Sequence, residues 1–122
     1  MKTVLIVDDA IFMRMKLKKI IESVGYQTLE AKDGLQALEI FKQEKPDLVI
    51  MDISMPEMDG LTSLQHMMQY DPSRPVIMCS AIGQESKILE AGKLGAKDFI
   101  VKPFKDKEIE AVLHCFLEGD GR

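Results

Sequence analysis

The sequence predicts an α/β fold, a doubly wound parallel sheet of five strands with five helices on its two faces. Three observations predict this fold. Short apolar runs alternate with amphipathic stretches five times within 122 residues. The apolar runs lack the polar alternation of half-exposed strands, which indicates strands buried on both faces. Strict alternation of strands and helices is typical of parallel sheets joined by helical crossovers.

The first half of the chain contains three of the predicted strands. Residues 4–7 form the first apolar run, and residues 13–24 carry apolar side chains at helical spacing. A weaker, more exposed strand follows at residues 26–31, and a second helical stripe is centred on residues 37–41. Residues 48–51 are again continuously apolar, which predicts a strand in the middle of the sheet.

The second half repeats the pattern. We predict a helix around residues 61–68, a strand at residues 76–79, a helix at residues 84–94 and a strand at residues 99–101. The last helix follows an i, i+3, i+4, i+7 pattern of apolar side chains, formed by Ile109, Val112, Leu113 and Phe116. The sequence thus predicts one domain over residues 1–118, with a short frayed tail at residues 119–122.

Composition excludes several classes of protein. Apolar residues make up 46% and charged residues 30%, as in a folded globular domain. The net charge of −4 argues against direct binding of nucleic acid. The apolar runs are shorter than the ~18 residues of a membrane span. Cys79 and Cys115 form neither a disulfide framework nor a metal-binding pair, which is typical of a reducing cytoplasm. We therefore predict a cytoplasmic protein without a membrane partner.

Polar side chains follow four of the five predicted strands. Asp8 and Asp9 end the first strand, Asp52 the third, Ser80 the fourth and Lys102 the fifth. Because the carboxyl ends of parallel strands meet at one edge of the sheet, we expect these side chains to lie together at a ligand site.

This set of side chains predicts phosphoryl chemistry. Unit charges ~4 Å apart repel by about 4 kcal/mol at an effective dielectric constant of 20, so three carboxylates favour a bound cation. Oxygen ligands select hard ions, here Mg²⁺ with Mn²⁺ as a substitute. Lys102 and Ser80 supply an ammonium and a hydroxyl for phosphoryl oxygens. Asp52, at the centre of the site, is the candidate nucleophile that forms an aspartyl-phosphate.

Each of these residues also has a purely structural interpretation. The Asp8–Asp9 pair fits a helix N-cap or a turn, and Asp52 fits a loop cap. Ser80 fits a buried hydroxyl with a hydrogen-bond partner, and Lys102 an ordinary surface position. The coincidence of all of them at strand ends favours the phosphoryl site. The chain has neither GxGxxG nor GxxxxGK[ST], so a nucleotide-binding loop is not predicted.

Four segments resemble the receiver domain of two-component response regulators, of the CheY-like single-domain type. The segments are residues 4–9, 51–60, 79–81 and 97–104, and their order and spacing match the family over nearly the whole chain. The resemblance implies the flavodoxin-like sheet with strand order 2-1-3-4-5.

The resemblance also implies a role for each acidic residue. Asp52 would accept a phosphoryl group from the phosphohistidine of a sensor histidine kinase or a phosphotransfer protein. Asp8 and Asp9 would hold Mg²⁺ together with Asp52 and the backbone carbonyl of Ser54.

The remaining site residues would form the switch. Ser80 would bind a phosphoryl oxygen and move towards it, and Phe99 would turn inward when Ser80 moves. Lys102 would pair with the phosphate, and the bond between Lys102 and Pro103 is expected to be cis.

The resemblance implies a signalling protein with no enzymatic activity beyond Mg²⁺-dependent self-phosphorylation and autodephosphorylation. Its output partner would be the flagellar motor switch in chemotaxis or a phosphorelay protein. A phosphorelay intermediate and the excised receiver of a DNA-binding regulator remain alternatives. A haloacid-dehalogenase-type phosphohydrolase is more distant, because that family places its nucleophile after the first strand and the candidate here follows the third.

Overall fold

The computed structural model describes residues 1–118 and alternates strands with helices throughout that range. The strands are β1 (Thr3–Val7), β2 (Gln27–Ala31), β3 (Leu48–Asp52), β4 (Val76–Ala81) and β5 (Asp98–Lys102). The helices are α1 (Ile11–Ser23), α2 (Gly34–Glu44), α3 (Gly60–Tyr70), α4 (Glu85–Leu94) and α5 (Asp106–Leu113), followed by a π-helix (His114–Glu118). The tail predicted at residues 119–122 lies outside the described residues.

The strands form one parallel sheet in the order β2-β1-β3-β4-β5. The predicted fold class and strand order are therefore confirmed. The strand order reverses its direction of growth between β1 and β3, so the loops that follow these two strands diverge and leave a crevice at the carboxyl edge of the sheet.

Each face of the sheet packs against its own set of helices. One hydrophobic cluster joins alternate strand residues such as Ile6 and Ile50 to α1 and α5. The other joins the intervening residues, such as Val49 and Met78, to α2, α3 and α4. Every residue of β3 is buried, whereas Ile100 alone is buried in the edge strand β5. The continuous apolar run of β3 thus corresponds to the centre of the sheet.

The end of the last helix differs from the predicted pattern. The sequence placed Phe116 on the apolar stripe of α5, but Leu117 is the buried residue and Phe116 is only partly buried. The chain passes from α5 into a π-helix at His114. A π-turn contains an extra residue, so the inward-facing position moves one residue along the chain.

Two further sequence expectations concern the whole chain. No helix within residues 1–118 has the length and apolar character needed to cross a membrane. No disulfide joins the cysteines of the described part of the chain.

The loop between β3 and α3 is held by close backbone packing at two glycines. Gly60 donates its N–H to the carbonyl of Ile53 at 2.8 Å, and Gly34 donates to the carbonyl of Met58 at 2.9 Å. A Cβ atom at Gly60 would lie 2.1 Å from the carbonyl oxygen of Asp52. The loop that follows Asp52 is therefore closed between Ile53 and Gly60 and held against the start of α2 at Gly34.

The close packing at Gly60 predicts that alanine destabilises the fold there, in contrast to alanine at an unpacked helical glycine. Gly60→Ala should lower the free energy of unfolding by roughly 1–3 kcal/mol, because the new methyl group meets backbone that cannot move aside. Gly92→Ala is the matched control: Gly92 lies inside α4 with no atom near its added Cβ, so alanine there should stabilise by about 0.5–1 kcal/mol. Urea unfolding measures both values, and a neutral Gly60→Ala would contradict this close packing.

Candidate functional site

Three carboxylates meet at the carboxyl edge of the sheet. Val7 of β1 pairs with Met51 of β3, so the next residues, Asp8 and Asp52, leave neighbouring strands at the same level. One carboxylate oxygen from each of Asp8, Asp9 and Asp52 lies within 4.8 Å of the other two. Asp8 and Asp52 are buried and Asp9 is exposed, so the cluster opens to solvent on the side of Asp9.

Lys102 reaches into this cluster from the edge strand. Its Nζ lies 2.8 Å from an Asp8 oxygen and 3.4 Å from an Asp52 oxygen. Lys102 pairs with Ala81 at the end of β4, so its long side chain crosses β4 to reach the two acids. The ammonium therefore bridges two carboxylates that would otherwise repel each other in a half-buried setting.

The charges of the cluster shift the protonation of Asp52 and Lys102. Burial raises the pKa of Asp52, and the charge of Asp8 raises it further, while the ammonium of Lys102 opposes both effects. Burial alone would lower the pKa of Lys102, but the hydrogen bond to Asp8 and the charges of Asp52 and Asp8 outweigh it, and the pKa is raised. Asp52 thus lies in a setting that favours any additional positive charge.

Hydrogen bonds fix the two buried acids. Asp8 accepts a hydrogen bond from the backbone N–H of Ala10 at 2.9 Å, so the turn-forming role considered for this aspartate is present alongside its ion pair. Arg14 of α1 donates to the backbone carbonyl of Asp8 at 2.7 Å and pairs with Glu30 of β2 at 3.1 Å. The backbone N–H of Ser54 acts to lower the pKa of the Asp52 carboxyl, against the effect of burial. The acidic side of the site is thus well anchored.

The structure does not bring the hydroxyl of Ser80 into the same hydrogen-bonded group. Ser80 is fully buried, and its Oγ has no hydrogen-bond partner among residues 1–118. The buried, hydrogen-bonded serine considered from the sequence is therefore not what the structure contains. A buried hydroxyl without a partner carries a free-energy cost, which a new acceptor at the site would relieve.

Phe99 lies on the outside of the sheet edge. Its side chain is 48% exposed and lines a shallow apolar groove with Ile82 and Leu89. Phe99 is level with Met78, so by strand alternation it projects on the α4 side of the sheet, as Ser80 does. The bond between Lys102 and Pro103 is cis.

Sequence reasoning missed two residues that organise this edge. No role was predicted for Arg14, although it donates a hydrogen bond to the backbone carbonyl of Asp8. Gln84 was placed at the start of a helix, yet its carboxamide bonds both Ala81 and Ser54. The one available signal was spacing, because a polar side chain three residues after a strand end can fold back onto that end.

The donor set fits a hard divalent cation. The three clustered oxygens are all carboxylate oxygens, and the pKa of Asp52 is raised, so the protein alone does not fully compensate its charge. Mg²⁺ is commonly held by one or two carboxylates together with phosphate oxygens and water. The exposed side at Asp9 leaves room for those further ligands. The arrangement can therefore hold a cation and a phosphoryl group against Asp52.

Comparison with known proteins agrees with this geometry. The family described as "Response regulator receiver domain" matches residues 4–114. A chemotaxis protein CheY from Thermotoga maritima is 52% identical over 93% of this chain and 95% of its own length. A chemotaxis protein CheY from Bacillus subtilis is 53% identical over 89% of this chain and 92% of its own length.

Solved structures show the same likeness. The receiver domain of NtrX from Brucella abortus superposes with a TM-score of 0.90 at 34% identity, covering 96% of this chain and 99% of that one. The match extends over nearly the whole of both chains. It supports the receiver interpretation over the phosphohydrolase alternative.

The raised pKa of Asp52 predicts how stability depends on pH. Because the folded-state pKa lies above the unfolded value, charged Asp52 destabilises the fold at neutral pH, and the penalty disappears once the pH falls below the unfolded value of about 4. Without divalent metal at pH 7, Asp52→Asn should raise the free energy of unfolding by on the order of 1 kcal/mol, or roughly 4 °C in Tm.

Circular dichroism melting at pH 7 and pH 4 measures this effect. The gain should shrink towards zero at pH 4. Glu39→Gln, an exposed acid on α2, is the control and should leave Tm unchanged at both pH values. A lower Tm for Asp52→Asn at pH 7 would contradict the proposed penalty of the charged carboxylate.

Proposed function

Since this chain belongs to the response regulator receiver domain family, we propose that its phosphorylation-activated switch uses Asp52 as the phosphoryl acceptor. One observation carries the assignment: both oxygens of Asp8 are already bonded, one to the N–H of Ala10 and one to the Lys102 ammonium, whereas Asp52 in the same cluster contacts Lys102 through one oxygen, at 3.4 Å. A phosphoryl group on its free oxygen would therefore have positive charge available beside it.

The proposed reaction is a direct transfer. A carboxylate oxygen of Asp52 forms a bond to phosphorus while the bond from phosphorus to the donor breaks. With a histidine kinase or phosphotransfer protein the leaving group is the imidazole nitrogen, and with acetyl phosphate it is acetate. The carboxylate must be unprotonated to attack, and Lys102 helps to keep it so by opposing the rise in its pKa.

Asp8, Asp9, Asp52 and the backbone carbonyl of Ser54 would hold Mg²⁺ at this site. The bound ion supplies positive charge that lowers the repulsion between the carboxylates and the incoming phosphoryl oxygens. Arg14 and the N–H of Ala10 keep Asp8 in place for this role.

Phosphorylation of Asp52 would act by changing the surface that the protein presents to its partners. A phosphoryl group adds roughly −1.5 to −2 charges and strong acceptor oxygens. Ser80, whose buried hydroxyl lacks a partner in the described part of the chain, would turn to bind one of these oxygens, and Lys102 would bind another. Phe99, now outside, would fold in behind Ser80 and alter the surface of α4 and β5.

The pathway we propose is chemotaxis, with this chain acting as a stand-alone CheY-like regulator in the cytoplasm. The support is about 50% identity to chemotaxis proteins over nearly their full length. A sensor kinase would supply the phosphoryl group, and a flagellar motor switch would receive the signal. A phosphorelay intermediate and the receiver of a DNA-binding regulator share the same site chemistry, and the identity of the bound effector distinguishes them.

Phosphorylation of Asp52 is tested with acetyl phosphate and Mg²⁺. Intact mass spectrometry should show one added phosphoryl group that is stable in acid and lost in base. Asp52→Asn should abolish the labelling, because the amide is a poor nucleophile. Asp47→Asn, a carboxyl at the opposite edge of the sheet, should label like the wild type. Equal labelling of Asp52→Asn would place the acceptor elsewhere.

The metal assignment is tested separately. Asp9→Asn removes one charge from the open side of the cluster and should weaken Mg²⁺ binding by roughly tenfold, since affinity at oxygen sites follows ligand charge. Isothermal titration calorimetry of the wild type, Asp9→Asn and the control Glu39→Gln measures this change. An unchanged Mg²⁺ affinity in Asp9→Asn would exclude this carboxylate as a ligand.

A further inference from the structure

Gln84 connects two loops at the edge of the site. Its Oε1 accepts a hydrogen bond from the backbone N–H of Ala81 at 2.7 Å, and its Nε2 donates to the hydroxyl of Ser54 at 2.9 Å. Gln84 is also the N-cap residue of α4, where its carbonyl accepts from Lys87 and Ile88. One side chain thus joins the end of β4, the start of α4 and the loop after β3.

The N–H of Ala81 faces β3, the strand that ends in Asp52. Ile53 donates to the carbonyl of Cys79 at 3.0 Å, which shows that the peptide groups of Cys79 point towards β3. Because strand residues alternate with a period of two, the peptide groups of Ala81 point the same way, two residues beyond Cys79, which pairs with Asp52. This N–H is therefore the donor of β4 directed to the space where a phosphoryl group on Asp52 would lie.

In the structure that donor is already occupied by Gln84. The neighbouring hydroxyl of Ser80 is buried without a partner among the described residues. The resting arrangement thus satisfies Ala81 through Gln84 and leaves Ser80 unsatisfied. A phosphoryl group would offer acceptor oxygens to both groups, but Ala81 can respond only after it releases the carboxamide.

We propose that Gln84 is the latch of this switch, a positioning residue that holds the β4–α4 junction in its resting arrangement by bonding Ala81 and Ser54. The proposal rests on the phosphorylation of Asp52 proposed above. The latch opposes the phosphorylated arrangement, because its two hydrogen bonds must break before the Ala81 N–H can bind a phosphoryl oxygen. Gln84 itself need not touch the phosphoryl group.

The latch is strong enough to bias the switch and weak enough to open. Ser54 is exposed and Gln84 is half-buried, so water can replace both bonds. The net contribution of such bonds is small, and loss of the latch should shift the equilibrium roughly three- to tenfold towards the phosphorylated arrangement. A ligand that favours that arrangement should bind more tightly by the same factor.

The test uses beryllofluoride, a non-covalent phosphoryl mimic, with Mg²⁺ and the full chain labelled with ¹⁵N. Gln84→Ala should bind beryllofluoride roughly three- to tenfold more tightly than the wild type. Gln84→Asn, whose amide is one methylene too short to span both partners, should behave like Gln84→Ala. Without the mimic, the amide proton of Ala81 should exchange with solvent faster in both variants.

Ser54→Ala and the double variant test the bridge itself. Ser54→Ala should tighten binding less than Gln84→Ala, and the double variant should equal Gln84→Ala because the two changes remove one shared contact. Additive effects would overturn the bridge. Gln69→Ala, an exposed glutamine in α3, is the matched control and should bind like the wild type.

Two outcomes separate failure of the latch from failure of the proposed function. If the wild type binds beryllofluoride and Gln84→Ala binds it equally or more weakly, the latch is overturned and the acceptor site stands. If the wild type binds no beryllofluoride in the presence of Mg²⁺, the acceptor assignment is overturned and the latch falls with it.

Discussion

The site is organised by one ammonium shared between two buried carboxylates. The Nζ of Lys102 lies 2.8 Å from an Asp8 oxygen and 3.4 Å from an Asp52 oxygen. Without this ammonium, the two buried carboxylates would repel each other strongly. The bridge requires β1, β3 and β5 to end at compatible levels, so the register of the whole sheet is tied to it. The same bridge leaves the cluster with excess negative charge, which prepares it for a cation and a phosphoryl group.

The two sides of the site differ in rigidity. On the acidic side, the loop after Asp52 is clamped where Gly60 and Gly34 approach backbone, and Asp8 is held by Arg14 and Ala10. On the β4 side, Ala81 is exposed and Ser80 has no hydrogen-bond partner within residues 1–118. A switch needs this division, because a fixed acceptor can drive movement only in groups that have a second arrangement of similar free energy.

The fold and the gathering of the acids could be predicted because both follow from local pattern. Residues 48–51 are continuously apolar, which places Asp52 at the end of a central strand, and parallel topology then brings Asp8 beside it. The π-helix at His114 could not be predicted in this way, since an i, i+3, i+4, i+7 pattern assumes an unbroken α-helix. Gln84 was missed for a related reason: its contact with Ser54 joins residues 30 apart, and only the folded loops bring them together.

The missing partner of Ser80 and the occupied N–H of Ala81 are two halves of one physical constraint. In the resting state the carboxamide oxygen of Gln84 accepts from the N–H of Ala81 and makes no hydrogen bond with the hydroxyl of the adjacent Ser80, which has no hydrogen-bond partner among residues 1–118. A phosphoryl group has several acceptor oxygens and can serve both donors together with Lys102. The energy that drives the switch therefore comes from donors that the resting fold leaves unsatisfied or holds with a replaceable partner.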